Sequence, residues 1–185
     1  MRNLPGDGDL EGSPLPAATA RHSISTNPHC AHVLSWHVRD LHVRPIPPAA
    51  TRALRQVVLR PDQTIDELAV CEPSDLFAVG AFAREELVAV GLVGPEGGPG
   101  EWRVRDVAAS PQARGCGAGT LLLDALVRHA AAHGATAVWC NARTHARSFY
   151  ERAGFTVASA EFELPGMGPR VRMELKTMPI AGGAS

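Results

Sequence analysis

Glycine occupies every second position between Gly115 and Gly119, in a segment that separates a predicted strand from a predicted helix. Such glycines allow a tight turn and let a ligand approach the main chain closely. The first N–H groups of the following helix have no partner within the helix, and with the helix dipole they attract an anion such as a pyrophosphate. The segment therefore predicts an anion-binding strand–turn–helix unit, with a glycine-rich connector of no further role as the alternative.

Two better-known phosphate loops do not fit this segment. A Walker loop requires Lys followed by Ser or Thr after its last glycine, whereas Thr120 and Leu121 follow here. A dinucleotide-binding fingerprint has two residues between its second and third glycines, and this segment has one. Arg114, directly before the first glycine, would add a charge-assisted hydrogen bond to a phosphate oxygen.

Apolar periodicity and turn residues divide the rest of the chain into strands and helices. Strands are predicted over residues 33–46, 77–83, 87–93, 102–109, 137–141, 156–159 and 171–175, with a hairpin turn at Arg84, Glu85 and Glu86. Helices are predicted over residues 51–59, 117–133 and 144–153, and Thr144 is the predicted N-cap of the last one. Loops are predicted over residues 94–100 and around 165–169. This order indicates a mixed α/β domain in which helices lie between strands.

Three parts of the chain differ in composition. Residues 1–34 are rich in Gly, Pro, Ser, Ala and Thr and predict a disordered or loosely docked tail. Residues 35–178 form the predicted domain, and residues 179–185 a C-terminal tail. The histidines of the first tail and its Cys30 leave a metal site open, but short tails of this kind are usually solvated, so no metal is expected.

Charge and cysteine content exclude several classes of protein. The formal net charge is -1, without the basic excess of a nucleic-acid-binding protein, so no nucleic-acid partner is expected. The four cysteines form no CxxC pair, which argues against a disulfide scaffold or a zinc site. No run of apolar residues is long enough for a transmembrane helix. We therefore expect a cytoplasmic protein with no membrane partner.

A second motif lies in the last predicted helix. The segment Ala146-Arg147-Ser148-Phe149-Tyr150-Glu151-Arg152-Ala153-Gly154-Phe155 follows the glycine-rich turn after one helix and one strand. Together with Pro111 and Arg114 to Gly119, it resembles the GNAT superfamily of N-acetyltransferases. The resemblance is strong over residues 102–155 and extends over about 43–175. It implies a mixed, mostly antiparallel central sheet flanked by helices, with a splayed strand pair for CoA.

The resemblance also implies an activity. GNAT proteins use acetyl-CoA as co-substrate and transfer its acetyl group to a primary amine directly, in a ternary complex. The alternatives are a catalytically silent acyl-CoA-binding module and, less in keeping with the motifs, a nucleotide-binding protein. The acceptor is expected between residues 51–76 and the loop 163–170, which carry no diagnostic motif; a homodimer is possible.

The matching positions give a set of predicted site residues. The pantetheine arm would lie along the strand before the turn, and the pyrophosphate on the turn. The resemblance implies as cofactor-binding residues Val107, Ala108, Ala109, Arg114, Gly115, Cys116, Gly117, Ala118, Gly119 and Thr120. Tyr150 would protonate the departing CoA thiolate, with a half-buried core tyrosine as the alternative.

Some positions depart from the family pattern or leave their role open. Arg143 stands where many members have Asn, and Asn141 would instead bind a pantetheine amide. Glu101 lies where some members place a catalytic glutamate, and an exposed surface residue is the alternative. Asp106 and Glu163 are weaker candidates for the general base, whose role a water chain could also fill. Around the Gly-Pro pair of the last loop the chain resembles a small subgroup in which His follows, but Arg170 stands there.

Overall fold

The computed structural model describes residues 40–70 and 72–178. The predicted tails 1–34 and 179–185 and the first part of predicted strand 33–46 lie outside the described residues. The strands are β1 (Leu41–Ile46), β2 (Phe77–Ala83), β3 (Glu86–Pro95), β4 (Glu101–Ala109), β5 (Ala137–Arg143), β6 (Thr156–Val157), β7 (Phe162–Leu164) and β8 (Gly168–Lys176). The helices are α1 (Arg52–Leu59), α2 (Ile65–Val70), α3 (Ala118–Ala132) and α4 (Arg147–Arg152). Within these ranges no helix has the length and apolar character needed to cross a membrane.

All eight strands belong to one sheet. Its order is β1-β2-β3-β4-β5-β8-β6, and β7 pairs with β8 outside this path. Every pair is antiparallel except β4 with β5, which is parallel. The predicted mixed, mostly antiparallel sheet flanked by helices is thereby confirmed.

The core lies between the first four strands and α3. This helix begins at Ala118 and ends at Ala132, and its buried positions recur at helical spacing, as the sequence pattern indicates. Its leucines at 122, 123 and 126 are almost completely buried. They share one apolar cluster with β2 and β3, whose valines at 79, 88 and 93 are as deeply buried. The apolar face of α3 therefore fixes the helix, and the turn before it, against the sheet.

Several boundaries differ from those the sequence predicts. The strand β3 runs to Pro95, inside the predicted loop 94–100, because its last residues pair with β4. The predicted helix 144–153 begins as a 3-10 turn over Thr144–Ala146, and α4 follows. The prediction of Thr144 as N-cap was wrong, because its hydroxyl donates instead to Glu161 (2.8 Å). In the predicted last loop, β7 and β8 form a hairpin that shortens it to residues 165–167.

The sequence analysis missed α2. Thr64 and Glu67 form a reciprocal capping box: the Glu67 carboxylate accepts from the Thr64 N–H (2.7 Å), and the Thr64 hydroxyl accepts from the Glu67 N–H (3.2 Å). The Thr64 N–H, together with the Thr64 hydroxyl (3.1 Å), donates to the Glu67 carboxylate and so lowers the pKa of Glu67. The spacing Thr-x-x-Glu before an apolar residue is the sequence signal that was overlooked.

A buried arginine joins α1 to two other parts of the chain. Arg55, which is 5% exposed, forms ion pairs with Glu72 after α2 and with Asp106 in β4. Arg52 donates a second pair of hydrogen bonds to Glu72 (2.7 and 3.1 Å). Burial would raise the pKa of Glu72, but the hydrogen bonds and charges of Arg52 and Arg55 outweigh it and lower the pKa. The two short helices are thus anchored to β4 by charge as well as by apolar packing.

Replacing Arg55 with methionine tests this anchor. The change leaves Glu72 and Asp106 each with one partner fewer, so we expect the free energy of unfolding to fall by about 2–3 kcal/mol. Arg52→Met, which removes the more exposed partner of Glu72, is the control and should cost much less. Denaturant unfolding would measure both.

The pH dependence of the same measurement separates charge from packing. A lowered pKa for Glu72 in the folded state means that its contribution is present above pH 4.5 and is lost as the pH falls. The difference between wild type and Arg55→Met should therefore narrow in acid. A difference that stays constant between neutral and acidic pH would show that Arg55 acts through packing alone.

Candidate active site

The site is built around the divergence of β4 and β5. These parallel strands pair only from Glu101 to Arg103, opposite residues 137–139, and then separate. Beyond this point the edge of β4 that turns away from β3 has no strand partner among the described residues. Its N–H and C=O groups are available to an extended ligand, because each main-chain polar group needs a partner.

A β-bulge in β4 lies at the start of this open edge. The register with β3 shifts so that Asp106 and Val107 together face Gly91. Asp106 has a φ of 47°, in the left-handed region that non-glycine residues seldom adopt. A bulge bends the strand and redirects its side chains. Here it brings the Asp106 carboxylate towards Arg55 and Arg60, the residue after α1.

The glycine-rich turn follows β4 and leads into α3. Gly115 and Gly117 have φ values of 77° and 86°, so both need the conformational freedom of glycine. Gly117 is the N-cap of α3, and no side chain caps the helix there. Gly119 faces the ring of Phe149, and a Cβ at Gly119 would lie 3.3 Å from it. The N-terminus of α3 is therefore uncapped by side chains, with α4 packed beside it.

A cavity of about 850 Å³ occupies the opening between the strands. The predicted site residues that line it are Val107, Ala108, Ala109, Arg114, Asn141 and Tyr150. The remaining residues of the turn, 115–120, follow Arg114 directly but are not part of the lining. The structure thus brings together the open edge of β4, the last residues of β5 and the tyrosine of α4.

Tyr150 is buried at the wall of this cavity. Its ring packs edge to face against Phe149 and Phe155 (centroids 4.9 and 5.6 Å apart), and its hydroxyl shares a hydrogen bond with the Cys140 thiol. Burial raises the pKa of the Tyr150 hydroxyl well above its usual range, and the nearby Cys140 and Asp106 raise it further. Burial likewise raises the pKa of Cys140 to about 12. Both groups are therefore protonated at neutral pH, and Tyr150 can donate a proton.

Glu101 lies elsewhere. Its carboxylate accepts a hydrogen bond from the Gly98 N–H (3.3 Å) and is 3.5 Å from the guanidinium of Arg172. It is at the paired end of β4 and does not line the cavity that contains Tyr150. Of the two weaker base candidates, Glu163 is exposed in β7 and Asp106 lines the cavity.

The structure adds residues that the sequence did not indicate. Arg55, Arg60 and Glu72 line the cavity from α1 and the segments beside it, and Arg143 and Arg170 line it from paired positions at the ends of β5 and β8. The sequence marks Arg143 and Arg170 only as departures from family positions, and nothing in it predicts this cluster, because strands and helices that are distant in sequence bring the residues together. Arg143 donates to the carbonyl oxygen of Leu59 (3.3 Å) and so joins the end of β5 to the end of α1.

Comparison with known proteins agrees with this geometry. Residues 36–155 match the acetyltransferase (GNAT) family. The uncharacterized N-acetyltransferase YitI of Bacillus subtilis (strain 168) is 29% identical over 140 residues, which cover 72% of this chain and 94% of YitI.

Two solved structures share the fold at low sequence identity. The ribosomal-protein-S18-alanine N-acetyltransferase from Escherichia coli superposes with a TM-score of 0.61 at 18% identity, covering 78% of this chain and 98% of that one. A GNAT family acetyltransferase from Elizabethkingia anophelis with acetyl-CoA bound gives 0.61 at 12% identity, covering 75% and 99%. Since the family match spans more than half of the sequence, the chain belongs to the GNAT family of acetyltransferases.

Proposed function

We propose that this protein transfers an acetyl group from acetyl-CoA directly to a primary amine in a ternary complex. One observation carries the proposal: a single cavity joins the open edge of β4, the arginine that begins the glycine-rich turn, and a buried, protonated tyrosine. The fold neighbour from Elizabethkingia anophelis binds acetyl-CoA, which supports this choice of co-substrate.

We assign each part of the cofactor to a different part of the site. The pantetheine amides would hydrogen-bond to the main chain of Val107–Ala109, as an added strand does at a sheet edge. The Asn141 side chain would bind a second pantetheine group from β5. The pyrophosphate would lie on the N–H groups of residues 115–120, with Arg114 beside it. The left-handed glycines and the uncapped start of α3 fit this group, because a ligand can reach the main chain there.

The reaction joins the amine nitrogen to the acetyl carbon and breaks the carbon–sulfur bond. The amine must be neutral to attack, because an ammonium group has no lone pair. As the tetrahedral intermediate collapses, Tyr150 would protonate the departing sulfur. Main-chain N–H groups of the open edge of β4 would stabilise the oxyanion.

Asp106 is the better placed of the predicted carboxylates to accept the proton of the amine. It lines the same cavity as Tyr150 and is close enough to raise the pKa of the tyrosine. Glu101 stays a prediction, but its contacts lie outside that cavity. We therefore propose Asp106 as the group that binds the amine and receives its proton, directly or through water.

The cofactor site is tested by Thr120→Glu. Thr120 is exposed in the first turn of α3, where a carboxylate favours the helix dipole and should leave stability unchanged or slightly higher. The same charge would repel a pyrophosphate, so we expect acetyl-CoA to bind on the order of tenfold more weakly or worse. Thr120→Gln matches the size without the charge and should bind nearly normally. Equal affinities for the Glu and Gln variants, measured by calorimetry, would refute the pyrophosphate assignment.

The role of Tyr150 is tested by Tyr150→Phe. This variant keeps the ring packing and loses only the hydroxyl, so its stability should change by less than about 1 kcal/mol. A positioned general acid typically raises a reaction rate about 10²–10⁴-fold. Because CoA thiolate is a good leaving group, we expect the transfer rate to fall by about tenfold or more, which is near or somewhat below the lower limit of that range. Single-turnover transfer at saturating acetyl-CoA is the measurement. Cys140→Ala, which removes the partner of the hydroxyl, should retain most of the rate.

Three further outcomes test the role of Tyr150 and the proposed activity. Because its pKa is raised, the tyrosine should stay protonated as the pH rises, and the wild-type rate should not fall up to about pH 9. An unchanged rate in Tyr150→Phe would make it a core residue. Binding of acetyl-CoA with no transfer in the wild type would favour the catalytically silent module.

Asp106→Asn and Glu101→Gln separate the two candidate bases. Asn tolerates the left-handed backbone of Asp106, so the bulge should survive, and melting temperature checks this. We expect Asp106→Asn to lower kcat/KM by about tenfold or more near neutral pH, with partial recovery at higher pH where more amine is neutral. Glu101→Gln should have a much smaller effect. The reverse order would restore Glu101 as the base.

A further inference from the structure

A second cavity adjoins the first in the region between residues 51–76 and the loop 163–170, where the acceptor is expected. It has a volume of about 690 Å³ and lies between the segment after α1 and the hairpin turn before β8. Residues shared by the two cavities include Arg60, Arg143 and His145. An acceptor entering through this second cavity would pass these side chains before it reached Tyr150.

Three guanidinium groups gather where the acceptor would pass. Arg170 is 8% exposed, donates to the carbonyl oxygen of Met167 (3.0 Å) and has a buried Nε without an acceptor among the described residues. Burial lowers the pKa of Arg170, and the positive charges of Arg143 and Arg60 lower it further. The three cations are thus close enough to repel one another.

Few carboxylates balance this charge. Arg60 is 3.5 Å from Asp106, which is also paired with Arg55 at shorter range. Within residues 40–70 and 72–178, neither Arg143 nor Arg170 forms an ion pair with a carboxylate, and each donates only to a main-chain oxygen. Clustered, partly buried cations of one sign are costly unless an anion accompanies them. The arrangement therefore fits a bound anion.

The cofactor has its own anion site. Arg114 and the N-terminus of α3 lie at the turn, whereas Arg143 contacts the end of α1 and Arg170 contacts the hairpin turn. Arginine suits carboxylate and phosphate because its planar fork makes two parallel hydrogen bonds to either. Asp106 beside the same cations would attract an ammonium group. The cavity thus offers the positive charge of these arginines beside the negative charge of Asp106.

We propose that the acceptor is a small amine that also carries a carboxylate or phosphate group, and that Arg143, Arg170 and Arg60 bind this oxyanion. The amino group of the same molecule would lie at Asp106, facing the thioester. An amino acid or an aminoalkyl phosphate has this distribution of charge. The inference rests on the acetyl transfer proposed above and narrows its acceptor.

Matched pairs of amines test the charge requirement. Amino acids would be compared with their amides, and 2-aminoethylphosphonate with ethanolamine, at saturating acetyl-CoA with release of free thiol as the readout. We expect kcat/KM to be about tenfold or more higher for the oxyanion-bearing member of each pair, since hydrogen bonds to charged groups are the stronger class. The carboxylate and phosphonate arms show which oxyanion is preferred. Equal rates within pairs would overturn the proposal.

Variants then test the arginines. Arg143→Gln and Arg170→Gln should each raise KM for the anionic acceptor by about tenfold or more and change kcat less. Arg143→Lys should raise KM less than Arg143→Gln does, because lysine keeps the positive charge but lacks the planar guanidinium that makes two parallel hydrogen bonds. Arg128→Gln, an exposed position on α3 paired with Asp124, is the control and should match the wild type. A weakened acetyl-CoA affinity in the Arg143 or Arg170 variant, with KM for the acceptor unchanged, would assign these residues to the cofactor and overturn the proposal.

The outcomes also separate this inference from the activity itself. If acetyl-CoA neither binds nor is turned over, the proposed function fails. If uncharged amines or peptide N-termini are acetylated at least as well as anionic ones, the function stands and the inference falls. If no amine in the set is acetylated, the melting temperature of the CoA-loaded protein is measured with each matched pair. The inference then requires that only the oxyanion-bearing members raise the melting temperature. Equal melting temperatures within the pairs would overturn it.

Discussion

The early end of pairing between β4 and β5 is the constraint on which the site depends. After three residue pairs the two parallel strands diverge, and this leaves one main-chain edge of β4 without a strand partner among the described residues. The bulge at Asp106 bends β4 at the same place, while β5 remains fully paired with β8. Because α3 is held to the neighbouring strands by its leucines, its N-terminus stays at the head of this opening. In the proposed binding mode an extended, anionic cofactor would therefore meet main-chain donors at the open edge of β4 and at the start of α3.

The wall of the cavity beside α1 and α2 is held by a different kind of interaction. Whereas α3 is fixed by apolar burial, α1 and α2 contribute few buried side chains, chiefly Arg55 and Leu68. Arg55 supplies the missing attachment by joining Glu72 and Asp106. The Asp106 carboxylate is thus part of this anchor. Among the predicted bases it is also the negative group that acts on Tyr150. In the proposed mechanism Asp106, at its left-handed backbone position, therefore both anchors α1 and receives the proton of the amine.

Local patterns in the sequence predicted most of the fold and several of the residues that line the cavity. The periodicity of α3 and the alternating glycines before it are local signals, and both held. The motif around Tyr150 indicated a family, which the family match confirmed. The acceptor was expected between residues 51–76 and the loop 163–170, but the cluster of Arg60, Arg143 and Arg170 was not predicted. These residues meet only through the sheet register and the end of α1. The short helix α2 begins with a capping box whose Thr-x-x-Glu spacing is visible in the sequence, so this helix was predictable from local signals.

The ionic attachment of α1 gives the two walls different responses to heat. Apolar burial, which holds α3, gains little further strength on warming, whereas the desolvation penalty of a buried ion pair decreases as temperature rises. The ion pairs that Arg55 forms with Glu72 and Asp106 should therefore hold the α1 wall of the cavity relatively more firmly at high temperature. On cooling both attachments weaken, because hydrophobic stabilisation also falls, so the two walls differ chiefly at high temperature, where the ion pairs of α1 keep their strength.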